Sequence, residues 1–166
     1  MTDNKTDTKL DNLSVREVVE MAVRTEILGH GYYTDLSKQF VKQQEVHDLF
    51  SFLAGQEEKH IKRFTELKDK IGGEEPDNWQ DVSEYMRAYV ESAFFMGRDK
   101  ALPHMHNITE ANAALGLAIG FEKETLLYFY AMRDMVKEHG IVDEIIKEEK
   151  SHIVSLARMK DKLSRA

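Results

Sequence analysis

Glu57-Glu-Lys-His60-Ile61 is echoed later in the chain by Glu149-Lys-Ser-His152-Ile153. Eight residues past each His comes Lys-Asp-Lys, at 68–70 and again at 160–162. Ahead of the two passages, Glu26 is followed six residues on by Tyr32, and Glu122 six residues on by Tyr128. First Glu to second Glu is 31 residues in one half and 27 in the other. Two helix pairs related by a pseudo-two-fold axis account for such an echo.

Helical periodicity runs outward from these passages. Val15, Val18, Ala22, Gly29, Tyr33, Leu36 and Phe40 form one stripe, opened by a capping-box pattern of Ser14 with Glu17. After a polar break at Lys42–Glu45, a second stripe carries Val46, Phe50, Leu53, Phe64, Leu67 and Ile71. Gly72-Gly73 and Pro76 are its stop signal. A third helix is expected from about Thr109, with Leu115, Ala118, Phe129, Met132 and Val136, ended by Gly140. The fourth is expected from Ile141 to about Leu163, with Val142, Ile145, Leu156 and Met159. Residues 74–107 form a long connection, predicted to hold a helix of its own over Val82 to Met96 with Trp79 as its anchor. The fold expected is all-α: an antiparallel four-helix bundle with short, long, short connections, which is the ferritin-like topology. Residues 1–12 read as a disordered lead and 13–166 as one bundle domain.

Each stripe has gaps, and polar residues fill them. Glu26 lies between Ala22 and Gly29, and Glu57 and His60 between Leu53 and Phe64. Glu122 lies between Ala118 and Phe129, and Glu149 and His152 between Ile145 and Leu156. Burying one unpaired carboxylate costs on the order of several kcal/mol, and four together also repel one another. Two divalent cations would balance four carboxylates. Glu-x-x-His sets a carboxylate and an imidazole on one helix face, nearly a turn apart. One such motif is weak evidence; two on apolar stripes, each with a core-facing Glu from another helix, match the ligand pattern of di-iron and di-manganese bundles. Mixed carboxylate and imidazole ligation suits iron or manganese, with zinc also admitted by ligand type.

The composition narrows the alternatives. A net charge of −7 argues against nucleic acid or an anionic membrane as partner. There is no Cys, hence no disulfide, thiolate metal site, iron–sulfur cluster or rubredoxin-type centre in this sequence. Met1 to Asn12 is polar and has no signal-like apolar segment, so a cytoplasmic location is expected.

In these residues the chain resembles the rubrerythrin branch of the ferritin-like superfamily, over about residues 14–164. The resemblance rests on Glu26 with Tyr33, Ala54-Gly-Gln-Glu-Glu-Lys-His60 with Lys62-Arg63, the segment Ala118 to Tyr130 around Glu122, and Glu149-Lys-Ser-His152. It implies two iron ions per chain on Glu26, Glu57, His60, Glu122, Glu149 and His152. It also implies reduction of hydrogen peroxide, with iron cycling between ferrous and ferric. Two departures stand out. With no Cys, the electron donor is expected to be a separate protein. The family's extra Glu, one turn after the third-helix Glu, falls at Thr125, with Glu124 turned off the stripe. Tyr33 and Tyr130 are the candidates to hydrogen-bond a metal-bound carboxylate. Tyr32 and Tyr128, one position off the stripe, read as packing residues, as do the Met residues at helical spacing. His30, the His104/His106 pair, His47, His139 and the Lys147-Glu148 run read as surface features. The competing functions are a dioxygen-using ferroxidase or iron-binding protein and a non-enzymatic helical interaction protein. A homodimer is the expected assembly.

Overall fold

In the computed structural model the described residues are 15–71, 108–133, 136 and 139–165. They form four helices: α1 (Val15–Gln39), α2 (Gln44–Ile71), α3 (Ala111–Arg133) and α4 (His139–Ser164). Among the described residues there is no strand, and no helix is long and apolar enough to cross a membrane. Charges suit the dipoles of the first two helices, with Glu17 and Glu45 in first turns and Lys38, Lys68 and Lys70 in last turns.

The helices pack as two hairpins, α1 on α2 and α3 on α4. The α1–α2 turn is made by backbone bonds, Gln43 N to Phe40 O at 2.8 Å and His47 N to Gln43 O at 2.9 Å. The hairpins are joined by side chains that reach a backbone carbonyl across the bundle. The Tyr128 hydroxyl donates to Val18 O at 2.6 Å, and the Gln39 amide donates to Ile108 O. α1 and α4 run one way, α2 and α3 the other. The ends of α1 and α4 therefore meet the starts of α2 and α3 around Leu36, Phe40, Phe50, Leu53, Leu115 and Leu156.

The core is in two compartments. One is that cluster, lined also by Tyr32, Tyr33 and Phe121; the other holds Val18, Val19, Phe64, Leu67, Phe129, Met132 and Ile145. Each fully buried large apolar side chain stabilises the bundle by about 1.5–3 kcal/mol. Between the compartments, at mid-helix on all four helices, lies a layer of buried Glu and His.

Helix ends differ slightly from the sequence expectation. α3 begins at Ala111 rather than near Thr109, and Glu110 O receives the first backbone N–H groups, from Ala113 and Ala114. Gly140 does not end the third helix. α3 stops at Arg133 and Gly140 sits in the first turn of α4, where an added Cβ would meet open space. A single Gly near an exposed helix start is tolerated, and here it is not the terminator that composition alone suggests. Val136, placed on the third stripe, lies beyond α3 yet is buried in the second compartment. The expected lead at 1–12, the Ser14 cap, the Gly72-Gly73 and Pro76 stop, the crossover helix, Trp79 and the His104/His106 pair lie outside the described residues.

Candidate metal centre

Glu26, Glu57, His60, Glu122, Glu149 and His152 are brought together and are at most 1% exposed. They form two overlapping ligand sets. Glu26, Glu57, His60 and Glu149 make one, and Glu57, Glu122, Glu149 and His152 the other. In each set, one potential ligand atom per residue lies within 4.8 Å of all the others. Glu57 and Glu149 belong to both sets. The Glu of each Glu-x-x-His pair is therefore shared, while Glu26 with His60 and Glu122 with His152 serve one side each.

Both imidazoles point Nδ1 into the cluster. His60 Nδ1 is 2.9 Å from Glu149 Oε1 and 3.3 Å from Glu26 Oε2. His152 Nδ1 is 3.1 Å from Glu149 Oε2 and 3.6 Å from Glu122 Oε1. The two rings face each other across the layer, centroids 5.7 Å apart and planes within 21°.

Protons hold this cluster together electrostatically. Burial, added to by the charges of Glu149 and Glu122, raises Glu26 well above the usual carboxylate range; Glu57 is raised likewise, by burial and then Glu26. Glu122 is pushed up to about 8 by burial and by Glu149. Burial alone would lower the His pKa values. Hydrogen bonds and charges from Glu149, with Glu57 and Glu148 at His60 and Glu122 at His152, outweigh it and raise His60 to about 9 and His152 to about 10. Burial would likewise raise Glu149, but hydrogen bonds from Glu122, His152 and His60 outweigh it and hold Glu149 below its usual range.

Even so, the cluster is incompletely satisfied. Glu26 Oε1, Glu57 Oε1, Glu122 Oε2 and His152 Nε2 are buried with no hydrogen-bond partner. Buried polar atoms are rarely left this way, and several in one layer fit a group bound among them. The donor set is four carboxylates and two imidazoles with no sulfur. Its charge and ligand type fit two divalent cations. The residues present therefore fit the two-metal centre that the spacing predicts.

Tyr33 is fully buried, and its hydroxyl donates to Glu122 Oε1. Burial, then the charges of Glu122 and Glu57, raise its pKa well above that of a free phenol, so the hydroxyl keeps its proton. The structure corrects the expectation for Tyr130. That ring is 40% exposed, with Lys150 Nζ 5.3 Å from its centroid. Seven residues bring a helix back to nearly the same face, and eight overshoot by about 80°. Tyr33 is seven residues after Glu26; seven after Glu122 is Phe129, fully buried and without a hydroxyl. Tyr32 and Tyr128 pack in the core, as expected. Thr125 faces inward at 1% exposure, whereas Glu124 is half-buried, so no seventh carboxylate enters the layer from this turn.

Glu148 departs from its reading as a solvated surface charge. Its Oε2 is 2.7 Å from His60 Nε2, and its Oε1 accepts from Arg63 Nη1 at 3.0 Å. Nothing in its local sequence marks it, because the partner histidine is 88 residues away on another helix. His30 and His47 are also less exposed than expected: each sets Nδ1 against a backbone carbonyl, of Ala54 at 2.9 Å and of Ser37 at 2.8 Å.

Comparison with known proteins agrees with this geometry. The sequence model of the rubrerythrin family matches residues 17–160. A crystal structure from Thermotoga maritima, provisionally described as a ferritin-like diiron-carboxylate protein, is similar over 90% of this chain and 95% of that one. The identity is 25% and the TM-score 0.65. No curated protein matches the chain.

Proposed function

The chain belongs to the rubrerythrin family, and on that premise we propose that it is a di-iron oxidoreductase that reduces hydrogen peroxide with electrons from a separate donor protein. The observation that carries this reading is the sharing of Glu57 and Glu149 between two buried four-residue ligand sets. When bound, a ferrous pair supplies the two electrons that, with two protons, take one hydrogen peroxide to two waters.

The chain's own residues do the rest. Glu57 and Glu149, common to both sets, would contribute to both metal positions, and Glu26 with His60, and Glu122 with His152, would complete one side each. Tyr33 holds a proton at Glu122 Oε1 and fixes that carboxyl's orientation. The apolar compartments on both sides keep the layer dry, which strengthens each charge interaction within it. An external donor protein and a homodimer in the cytoplasm are part of the same reading.

A dioxygen-using ferroxidase is the second reading, favoured by one observation: Thr125 stands where a further carboxylate would enrich the centre. A purely structural polar layer accounts less well for the chain, since it leaves the partnerless Glu26, Glu57 and Glu122 oxygens unexplained. The test is anaerobic ferrous titration of metal-free protein, followed by rapid mixing with limiting peroxide or dioxygen. Two irons per chain with much faster oxidation by peroxide is the expected result. Faster reaction with dioxygen moves the assignment to ferroxidase, and no binding removes the di-iron centre.

A further inference from the structure

The six ligands are close to symmetric, but what stands behind the two histidines is not. Glu57 and His60 on α2 correspond to Glu149 and His152 on α4 through one constant offset. The same offset pairs Glu148 with Gln56, Arg63 with Ser155 and Glu144 with Phe52.

Behind His60 there is a charged chain. Nε2 is 2.7 Å from Glu148 Oε2, Glu148 Oε1 accepts from Arg63 Nη1 at 3.0 Å, and Arg63 Nη2 donates to Glu144 Oε2 at 2.5 Å. Behind His152 there is none among the described residues. Its Nε2 is buried without a partner. The counterpart Gln56 instead receives Lys59 Nζ at 2.7 Å on the outer surface, and Phe52 is an exposed apolar side chain.

We propose that Glu148, held in place by Arg63, is a positioning residue for His60 and makes the two metal positions unequal, so that the Glu26/His60 position fills first and holds its ion more tightly. The inference rests on the two-metal reading above. Its physical basis is tautomer control. With Glu148 accepting from Nε2–H, the Nδ1 lone pair of His60 is directed at Glu26 and Glu149, where an ion would sit. Arg63 bridges two carboxylates and keeps the partly exposed Glu148 in that orientation. Among the described residues His152 has no such partner to fix its tautomer or its ring. A carboxylate behind a ligating histidine commonly changes metal affinity by about tenfold to a hundredfold.

The test is anaerobic Co(II) titration of the metal-free chain, read by visible absorption and calorimetry. The native protein should bind in two steps, the first at least about tenfold tighter. Glu148→Gln should weaken the first step by about tenfold to a hundredfold and leave the second unchanged. Gln56→Glu, which supplies the missing carboxylate behind His152, should tighten the second step and leave the first unchanged. Both positions are partly exposed, and circular dichroism of each metal-free variant verifies folding. Equal steps in the native protein, or equal weakening of both steps by Glu148→Gln, overturn the inference and leave the two-metal centre standing. No Co(II) or ferrous binding by the native chain overturns the two-metal reading itself.

Discussion

Loading the centre with two divalent ions at pH 7 should expel at least about three protons from the chain. His60, near 9, and His152, near 10, are imidazolium at that pH, and each must lose a proton to offer Nδ1 to a metal. Glu122, near 8, is mostly protonated, and burial holds Glu26 and Glu57 well above the usual carboxylate range. Glu149, held low, is already ionised and releases nothing. The overall two-metal binding constant should therefore rise by at least about three powers of ten per pH unit near neutrality. Calorimetry in two buffers of different ionisation enthalpy counts the protons directly, and a weakly buffered pH-stat titration checks the count. Release of one proton or fewer per metal pair would refute this protonation pattern. The same pattern sets how the metal-free fold responds to pH. The raised carboxyls lose stability as pH climbs above their unfolded value of 4.5. The two histidines contribute fully below 6.5, and that contribution is lost as pH rises through about 9 and 10. The metal-free melting temperature should accordingly fall from mildly acidic to alkaline pH, and metal-loaded protein should not follow it.

Two further predictions concern the helix that carries Glu26. Gly29→Ala puts a Cβ 3.1 Å from the Phe121 ring and 3.3 Å from Glu57 Oε2. Because Phe121 is wedged against Tyr32 and Tyr33, this variant should lose stability and bind metal more weakly. Gly31→Ala on the same helix meets open space and should gain about 0.5–1 kcal/mol, so chemical denaturation of the pair separates crowding from helix propensity. Tyr33→Phe removes the hydroxyl that donates to Glu122 and should cost the metal-free protein about 1–3 kcal/mol, with no such loss for Tyr130→Phe on the exposed face. Equal melting temperatures for the two Tyr variants would count against a role for Tyr33 at the cluster.

The sequence by itself determined the four helices and the six residues of the polar layer. Both follow from one local rule: an apolar stripe at 3.6-residue spacing assigns a face, and a Glu or His interrupting it must point inward. That rule acts within one helix, so it is legible without a fold. It also contained the means to separate Tyr33 from Tyr130, since seven residues keep a face and eight leave it. Other features only the tertiary structure decided. The sharing of Glu57 and Glu149 by both ligand sets depends on how deeply four helices approach one another. The bond from Tyr33 to Glu122 spans 89 residues, and that between Glu148 and His60 spans 88. Glu148 looks like any surface charge along its own helix. It becomes the partner of His60 because α2 and α4 are packed side by side, at a distance that no local periodicity encodes.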